Sequence, residues 1–417
     1  MKIFKFGGAS VKDAESIRNI ASIIKNEGAK DTLVVISAMG KMTNAFEEVV
    51  DAYYNKDENL PNKLNFIEEY HKNIMNTLFD KEDEIYKDVD ILFGELGWFL
   101  ARNTSKRFNY VYDQIICFGE ILSTKIVSAY LSKIGSSNVW FDVRNYIKTD
   151  STYRDAKVDW QLTEEIITNK VDTSKINITQ GFIAANDTEN TTTLGREGSD
   201  YTAGIFAYCL NAESVTIWKD VPGVLNADPR VFSDTTLLEQ ISYEEAIEMA
   251  FYGASVIHPK TLQPLERKEI PLLVRSFVNP KETGSRVSKG TRLVPYIPCF
   301  IVKKNQILVS ISALDFSFMV ENNISFIFQK LHDYQLKVNL IQNSAISFSV
   351  CIDDKFTNFD AFYKELKQQF KIDVQKNVDL YTVRHFDENA IKTIEAKGKS
   401  LLTQVNKETS QIIVNPN

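Results

Sequence analysis

The chain opens on a strand pattern that runs into a turn: Lys2-Ile3-Phe4-Lys5-Phe6, then Gly7-Gly8-Ala9-Ser10. Ile17, Ile20, Ala21 and Ile24 recur at i, i+3, i+4 and i+7, which predicts an amphipathic helix. Thr32 to Ser37 is a short β-branched apolar run, the pattern of a parallel strand buried on both faces. Residues 45–105 carry helical periodicity and many charges, and read as a helical insertion broken at Pro61 and Asn62. A helix over 113–133, a strand over 138–141, a helix over 160–169 and a strand over 176–179 follow. A helix after Ser199 leads to a strand over 214–218, and Ser242-Tyr243-Glu244-Glu245 forms a capping box before a helix with Ala246, Met249 and Ala250 inward. This alternation predicts a three-layer α/β sandwich with a mainly parallel sheet.

The pattern changes after residue 278. Residues 279–299 are polar and turn-rich, a boundary signal. Strands at 306–312, 336–342, 345–352, 371–376 and 378–384 and helices at 317–332 and 358–370 then give a β-α-β-β-α-β order, a ferredoxin-like α+β module. The tail (helix 387–395, strands 400–404 and 410–414) is too short for a second full copy.

Composition narrows the function classes. The 417 residues call for two or three domains. A net charge of −7 argues against nucleic acid or an anionic membrane as the main partner. No apolar run reads as a membrane span and the first residues read as a strand, so a cytoplasmic enzyme is expected. Cys117, Cys209, Cys299 and Cys351 are scattered, as buried thiols are, and no His/Cys cluster points to a transition-metal site.

In parallel sheets ligands collect at the carboxyl ends of strands. Those ends offer Lys5 with Gly7, Gly8 and Ser10; Ser37 with Thr43; Gln180-Gly181; and Lys219-Asp220. Adjacent glycines let phosphate oxygens approach backbone N–H groups, and a following helix adds its dipole. A plain strand–helix turn with a surface lysine is the competing reading of the opening. Leu194-Gly195-Arg196-Glu197-Gly198-Ser199-Asp200 is a second glycine-rich turn whose arginine can grip a carboxylate, and it matches neither a Walker A loop nor a dinucleotide fingerprint. By itself it also reads as a capped loop. Glu120, at the apolar stretch after Gly119, is a surface residue or a ligand for an amine, and His258 reads as structural.

Together these segments resemble aspartate kinase of the amino-acid-kinase superfamily. The resemblance rests on Lys5-Phe6-Gly7-Gly8-Ala9-Ser10-Val11, Thr179 to Phe182, Leu194 to Ala203, Ile217 to Gly223, Ala227 to Arg230 and Tyr252 to Pro259, in order. It covers about 1–290, and 300–385 resembles an ACT domain, with 386–417 a partial second one. The resemblance implies ATP-dependent phosphorylation of the L-aspartate β-carboxylate to 4-phospho-L-aspartate, the first step toward lysine, threonine and methionine. It implies Lys5, Arg196 and Asp200 as catalytic residues. It implies Ser37, Thr43, Glu120, Arg196 and Ser199 around aspartate, and Lys5, Gly7, Gly8, Ser10, Lys219, Asp220 and Arg230 around ATP. Mg2+ would travel with the phosphates, with no protein metal cage. A homodimer and an amino-acid effector at the ACT region are also implied.

Several positions depart from the family pattern: Ala9, Lys219, Leu225 and Ser255 replace threonine, threonine, tyrosine and lysine. Lys219 is expected to supply the charge that Ser255 removes. In the regulatory stretch, Asn339 and Ala345 stand where lysine-sensitive relatives carry acids, so weak lysine inhibition is expected. A kinase for another acidic amino acid and a catalytically weak amino-acid sensor are the alternatives.

Overall fold

The computed structural model describes residues 1–27, 31–254, 257–315 and 317–416. The chain divides into two compact units, one of 1–224, 237–247 and 257–294, the other of 225–236, 248–254 and 295 onward.

The first unit begins with β1 (Lys2–Phe6), a 3-10 turn (Gly8–Val11), α1 (Ala14–Glu27), β2 (Thr32–Ile36) and α2 (Met42–Asn55). Next come α3 (Leu60–Leu78), α4 (Ile85–Arg102), α5 (Phe108–Lys133), β3 (Asn138–Trp140), α6 (Trp160–Lys170) and β4 (Ile176–Gln180). A hairpin of β5 (Ile183–Ala185) and β6 (Thr191–Thr193) leads to α7 (Gly198–Cys209) and β7 (Ser214–Lys219). Then follow β8 (Gln240–Ile241), α8 (Tyr243–Tyr252), α9 (Pro259–Arg267), β9 (Leu272–Ser276) and β10 (Ser285–Val287).

The main sheet has the order β3-β4-β2-β1-β7-β9-β10-β8, and only β9 and β10 pair antiparallel. Every residue of β2 is buried, as a central strand with helices over both faces requires. Lys5 pairs with Val35 on one side and Ile217 on the other, so β1 lies at the middle of the sheet. Phe6 stacks on Trp218 at 6.0 Å and Phe4 meets it edge-on at 5.8 Å, which seats β1 against β7. On α1, Ile17, Ile20, Ala21 and Ile24 are all buried. Ser242 Oγ accepts from the Glu245 N–H, as the capping box requires.

Three readings change. Pro61 lies in the first turn of α3 rather than at a break, because a missing N–H costs nothing there. The break precedes it, where Lys56 in a left-handed conformation closes α2. The β5–β6 hairpin is too short to show a period-2 pattern. Finally, α5 is long and apolar enough to cross a membrane by length and composition, although 78% of its apolar window is buried, as in a core helix.

The second unit runs β11 (Cys299–Ala313), α10 (Glu321–Asp333), β12 (Lys337–Asn343), β13 (Ser347–Asp353), α11 (Phe359–Leu366) and β14 (Phe370–Arg384). It ends with α12 (Glu388–Glu395), β15 (Gly398–Val405) and β16 (Thr409–Pro416). The strands form one antiparallel sheet, β12-β13-β11-β14-β16-β15. The two strands expected at 371–376 and 378–384 are one. Asn377, at φ 58°, shifts the β11–β14 register without ending the ladder. The tail joins the same sheet through β14–β16 pairing. Residues 225–236 and 248–254 group with this unit although they fall within the 1–290 segment.

Candidate active site

The carboxyl ends of β1, β2 and β7 open into a cleft of about 390 Å3. Lys5, Ser37, Thr43, Glu120, Ser199, Asp200 and Lys219, scattered over 215 positions of sequence, line it together. The adjacent strands bring Lys5 and Lys219 to one edge, α5 brings Glu120, and the first turn of α7 brings Ser199 and Asp200.

Asp200 is 3% exposed and lies between two ammonium groups. Lys5 Nζ is 2.7 Å from its Oδ1, and Lys219 Nζ is 3.9 Å from its Oδ2. Asp200 holds both ammonium groups at the strand ends, while Glu120 and Glu197 also line the cleft, so positive charge is concentrated at the Lys5–Lys219 edge rather than spread over the whole lining. The α7 N-terminus faces the same space and adds its dipole.

Glu120 is 3% exposed. One oxygen receives the Ala38 N–H, while Oε2 has no hydrogen-bond partner among the described residues. Burial pushes its carboxyl up to about 8, against the opposing pull of the Ala38 N–H and of Lys5. A buried carboxylate with an unused oxygen facing a cleft is suited to an ammonium ligand. Its helix is tied to the strands, with Ser123 Oγ donating to the Ser37 carbonyl at 2.7 Å and Gln180 Nε2 donating to Thr124 Oγ1 at 2.8 Å.

The glycines act through close approach. A Cβ on Gly8 would lie 2.5 Å from the Gly40 carbonyl oxygen and 2.9 Å from that of Ala38, because the Gly40 N–H donates to Gly8 O at 3.0 Å. A Cβ on Gly181 would lie 2.4 Å from Ser199 Cβ, so the end of β4 touches the start of α7.

The other expected site residues fall as follows. Gly7 sits beside Lys5 Nζ, and Ser10 is buried with its hydroxyl unpartnered among the described residues. Arg196 and Asp220 are exposed and outside the cleft lining. Arg230 belongs to the second unit, is exposed, and pairs with Asp228 at 2.7 Å. Ser255 lies outside the described residues. His258 is structural, its Nδ1 accepting the Lys260 N–H as an N-cap. Gly40, Phe182, Gly195, Glu197 and Gly198 also line the cleft and were missed. The glycines of the second turn were a usable signal, whereas Phe182 is turned in by a left-handed backbone (φ 70°) that no pattern announces. Among the described residues no group of three His, Cys, Asp or Glu is arranged to hold a metal, and the two cleft-facing oxygens of Asp200 already face lysines.

A mainly parallel sheet with a lysine–aspartate–lysine cluster at its central strand ends, beside a glycine-rich turn, makes this an α/β fold with an anion-directed edge at its strand-end cleft. The family model of the amino acid kinase family matches residues 1–276, and the chain belongs to that family. Among relatives, the lysine-sensitive aspartokinase 3 of Escherichia coli is 31% identical over 84% of this chain and 78% of its own. The bifunctional aspartokinase/homoserine dehydrogenase of Daucus carota is 29% identical over 88% of this chain, which spans only 42% of that relative. Aspartokinase III of Escherichia coli, solved with aspartate and ADP, superposes with a TM-score of 0.81 at 27% identity, over 99% of this chain and 96% of its own. The same enzyme solved with lysine and aspartate gives 0.83 over 100% and 96%. Within the family, the chain groups with the aspartokinases.

Proposed function

We propose that the chain is an aspartate kinase, transferring the γ-phosphoryl group of ATP to the β-carboxylate of L-aspartate. The observation that carries this is the pairing of two ammonium groups at adjacent strand ends, Lys5 and Lys219 about Asp200, with a buried amine-directed carboxylate, Glu120. The aspartate and ADP bound by the Escherichia coli enzyme support the same reading.

Acyl phosphate formation needs alignment and charge cancellation rather than a covalent enzyme intermediate. In this reading Lys5 stabilises the transferring phosphoryl group, and Asp200 holds Lys5 and Lys219 in place. Backbone N–H groups of the Gly7-Gly8 turn and the α7 N-terminus meet the phosphates, with Ser10 packed behind the turn. Glu120 receives the aspartate ammonium, and Ser37, Thr43 and Ser199 bond its carboxylates. Arg196 reaches the substrate by movement of its exposed loop, while Asp220 and Arg230 lie toward the nucleotide. Mg2+ accompanies the nucleotide, coordinated mainly by phosphate oxygens and water. The second unit is an ACT-type regulatory region, and the protein is a cytoplasmic homodimer serving lysine and threonine synthesis.

Aspartate-dependent ADP release, run beside glutamate and N-acetylglutamate and with added lysine or threonine, tests the reading. Aspartate should be preferred. Preference for another acceptor, or ATP binding without turnover, would overturn it.

A further inference from the structure

A second site lies in the first unit, sharing no lining residue with the cleft. Two adjoining cavities, of about 510 and about 420 Å3, flank the C-terminal half of α4 and share Trp98 and Phe99 as a common wall. The larger lies against Gln114, Cys117 and Phe118 of α5, the turn before Glu120. The smaller carries Arg102 and Arg107 together with Tyr110 and Tyr153.

Arg102 stacks over the Trp98 ring at 5.3 Å, and Arg107 over Tyr153 at 5.2 Å. Neither guanidinium is paired with a carboxylate among the described residues. Stacking holds each planar fork while its N–H donors stay available. Glu95 lines the larger cavity, and among the described residues no carboxylate lines the smaller one.

Trp98 is 61% exposed, a large flat apolar surface with one face toward solvent. Beside it, Gly94 lines the larger cavity in a helix interior, and a Cβ there would meet nothing within 4 Å. Glycine in an exposed helix interior costs about 1 kcal/mol relative to alanine, and no packing inside the chain explains it. The bare backbone leaves the tryptophan face open.

We propose that this double cavity binds a nucleoside monophosphate or a similar aromatic phosphate monoester. The two guanidiniums match the two charges of a phosphate monoester, and the ring stacks on the open face of Trp98. A monocarboxylate would leave one arginine unmatched.

Calorimetric titration of AMP into the full chain tests this, with adenosine and inorganic phosphate as partial probes. A Lys5→Ala background weakens the cleft's hold on phosphate, so that a signal unchanged by it comes from elsewhere. AMP should still bind there, and Arg102→Ala/Arg107→Ala should weaken it by about tenfold or more, as should Trp98→Ala. With Lys5 in place, the Arg102, Arg107 and Trp98 substitutions should leave aspartate-dependent turnover without AMP unchanged, which also shows that they fold. AMP binding equally tight in the double-arginine variant, or absent from the Lys5→Ala chain, overturns the site. Adenosine binding as tightly as AMP overturns the phosphate assignment, and inorganic phosphate doing so overturns the ring assignment.

Discussion

Replacing Glu120 by glutamine separates the cost of its charge from its use. Glu120 holds its proton more tightly in the folded chain, at about 8, than in the unfolded chain, near 4.5. Its stabilising contribution is therefore complete below pH 4.5, is lost as pH rises, and is gone above pH 8. At about 1.4 kcal/mol per pH unit, the full loss is about 5 kcal/mol, of which about 4 kcal/mol falls between pH 5 and pH 9. Glu120→Gln has no charge to lose. Its stability should decline less over that range by about that amount, read by denaturant unfolding at the two pH values. The same residue should make the aspartate KM fall as pH rises from 6 to 8, because the ammonium needs the ionised carboxylate. Glu120→Gln should raise the KM by about 2–3 kcal/mol of lost binding and flatten that profile. Parallel stability curves for the two proteins, or a KM flat in pH for the unaltered chain, would refute the reasoning.

Lys5→Ala should lower kcat by about 100- to 1,000-fold, as loss of a transition-state donor does. It should leave the far-UV spectrum unchanged, since Lys219 remains near Asp200, and near-normal turnover would count against the phosphoryl-side role. Lys219→Ala should raise the ATP KM more than the aspartate KM, and an unchanged ATP dependence would remove Lys219 from the nucleotide side. Gly8→Ala should cost both stability and turnover, because its methyl group meets the Gly40 and Ala38 carbonyls, and a thermal midpoint matching the unaltered chain would contradict that packing. Lysine should inhibit weakly. Asn339 Oδ1 already accepts the chain's own Lys303 ammonium at 2.8 Å, and its amide donates to Gln306 at 2.7 Å, so strong lysine inhibition would overturn this.

Much of this was legible from residue order. The amphipathic pattern of α1, the buried run of β2 and the alternation to residue 278 are local properties, set by a 3.6 or 2 residue period and by burial. So was the opening Lys5-Phe6-Gly7-Gly8 turn. What the chain order does not contain is distance. That Asp200 stands between Lys5 and Lys219 depends on β1 pairing with β7 and on α7 abutting the end of β4. The raised proton affinity of Glu120 depends on how completely α5 is covered, which its own sequence shares with an exposed apolar helix. Arg196 shows the same limit from the other side, since its motif is intact while its side chain is exposed outside the cleft lining. Local pattern determines which segments become strands and helices because the backbone period is short-range. Tertiary packing alone decides which charges meet and which are desolvated, because both depend on residues far apart in the chain.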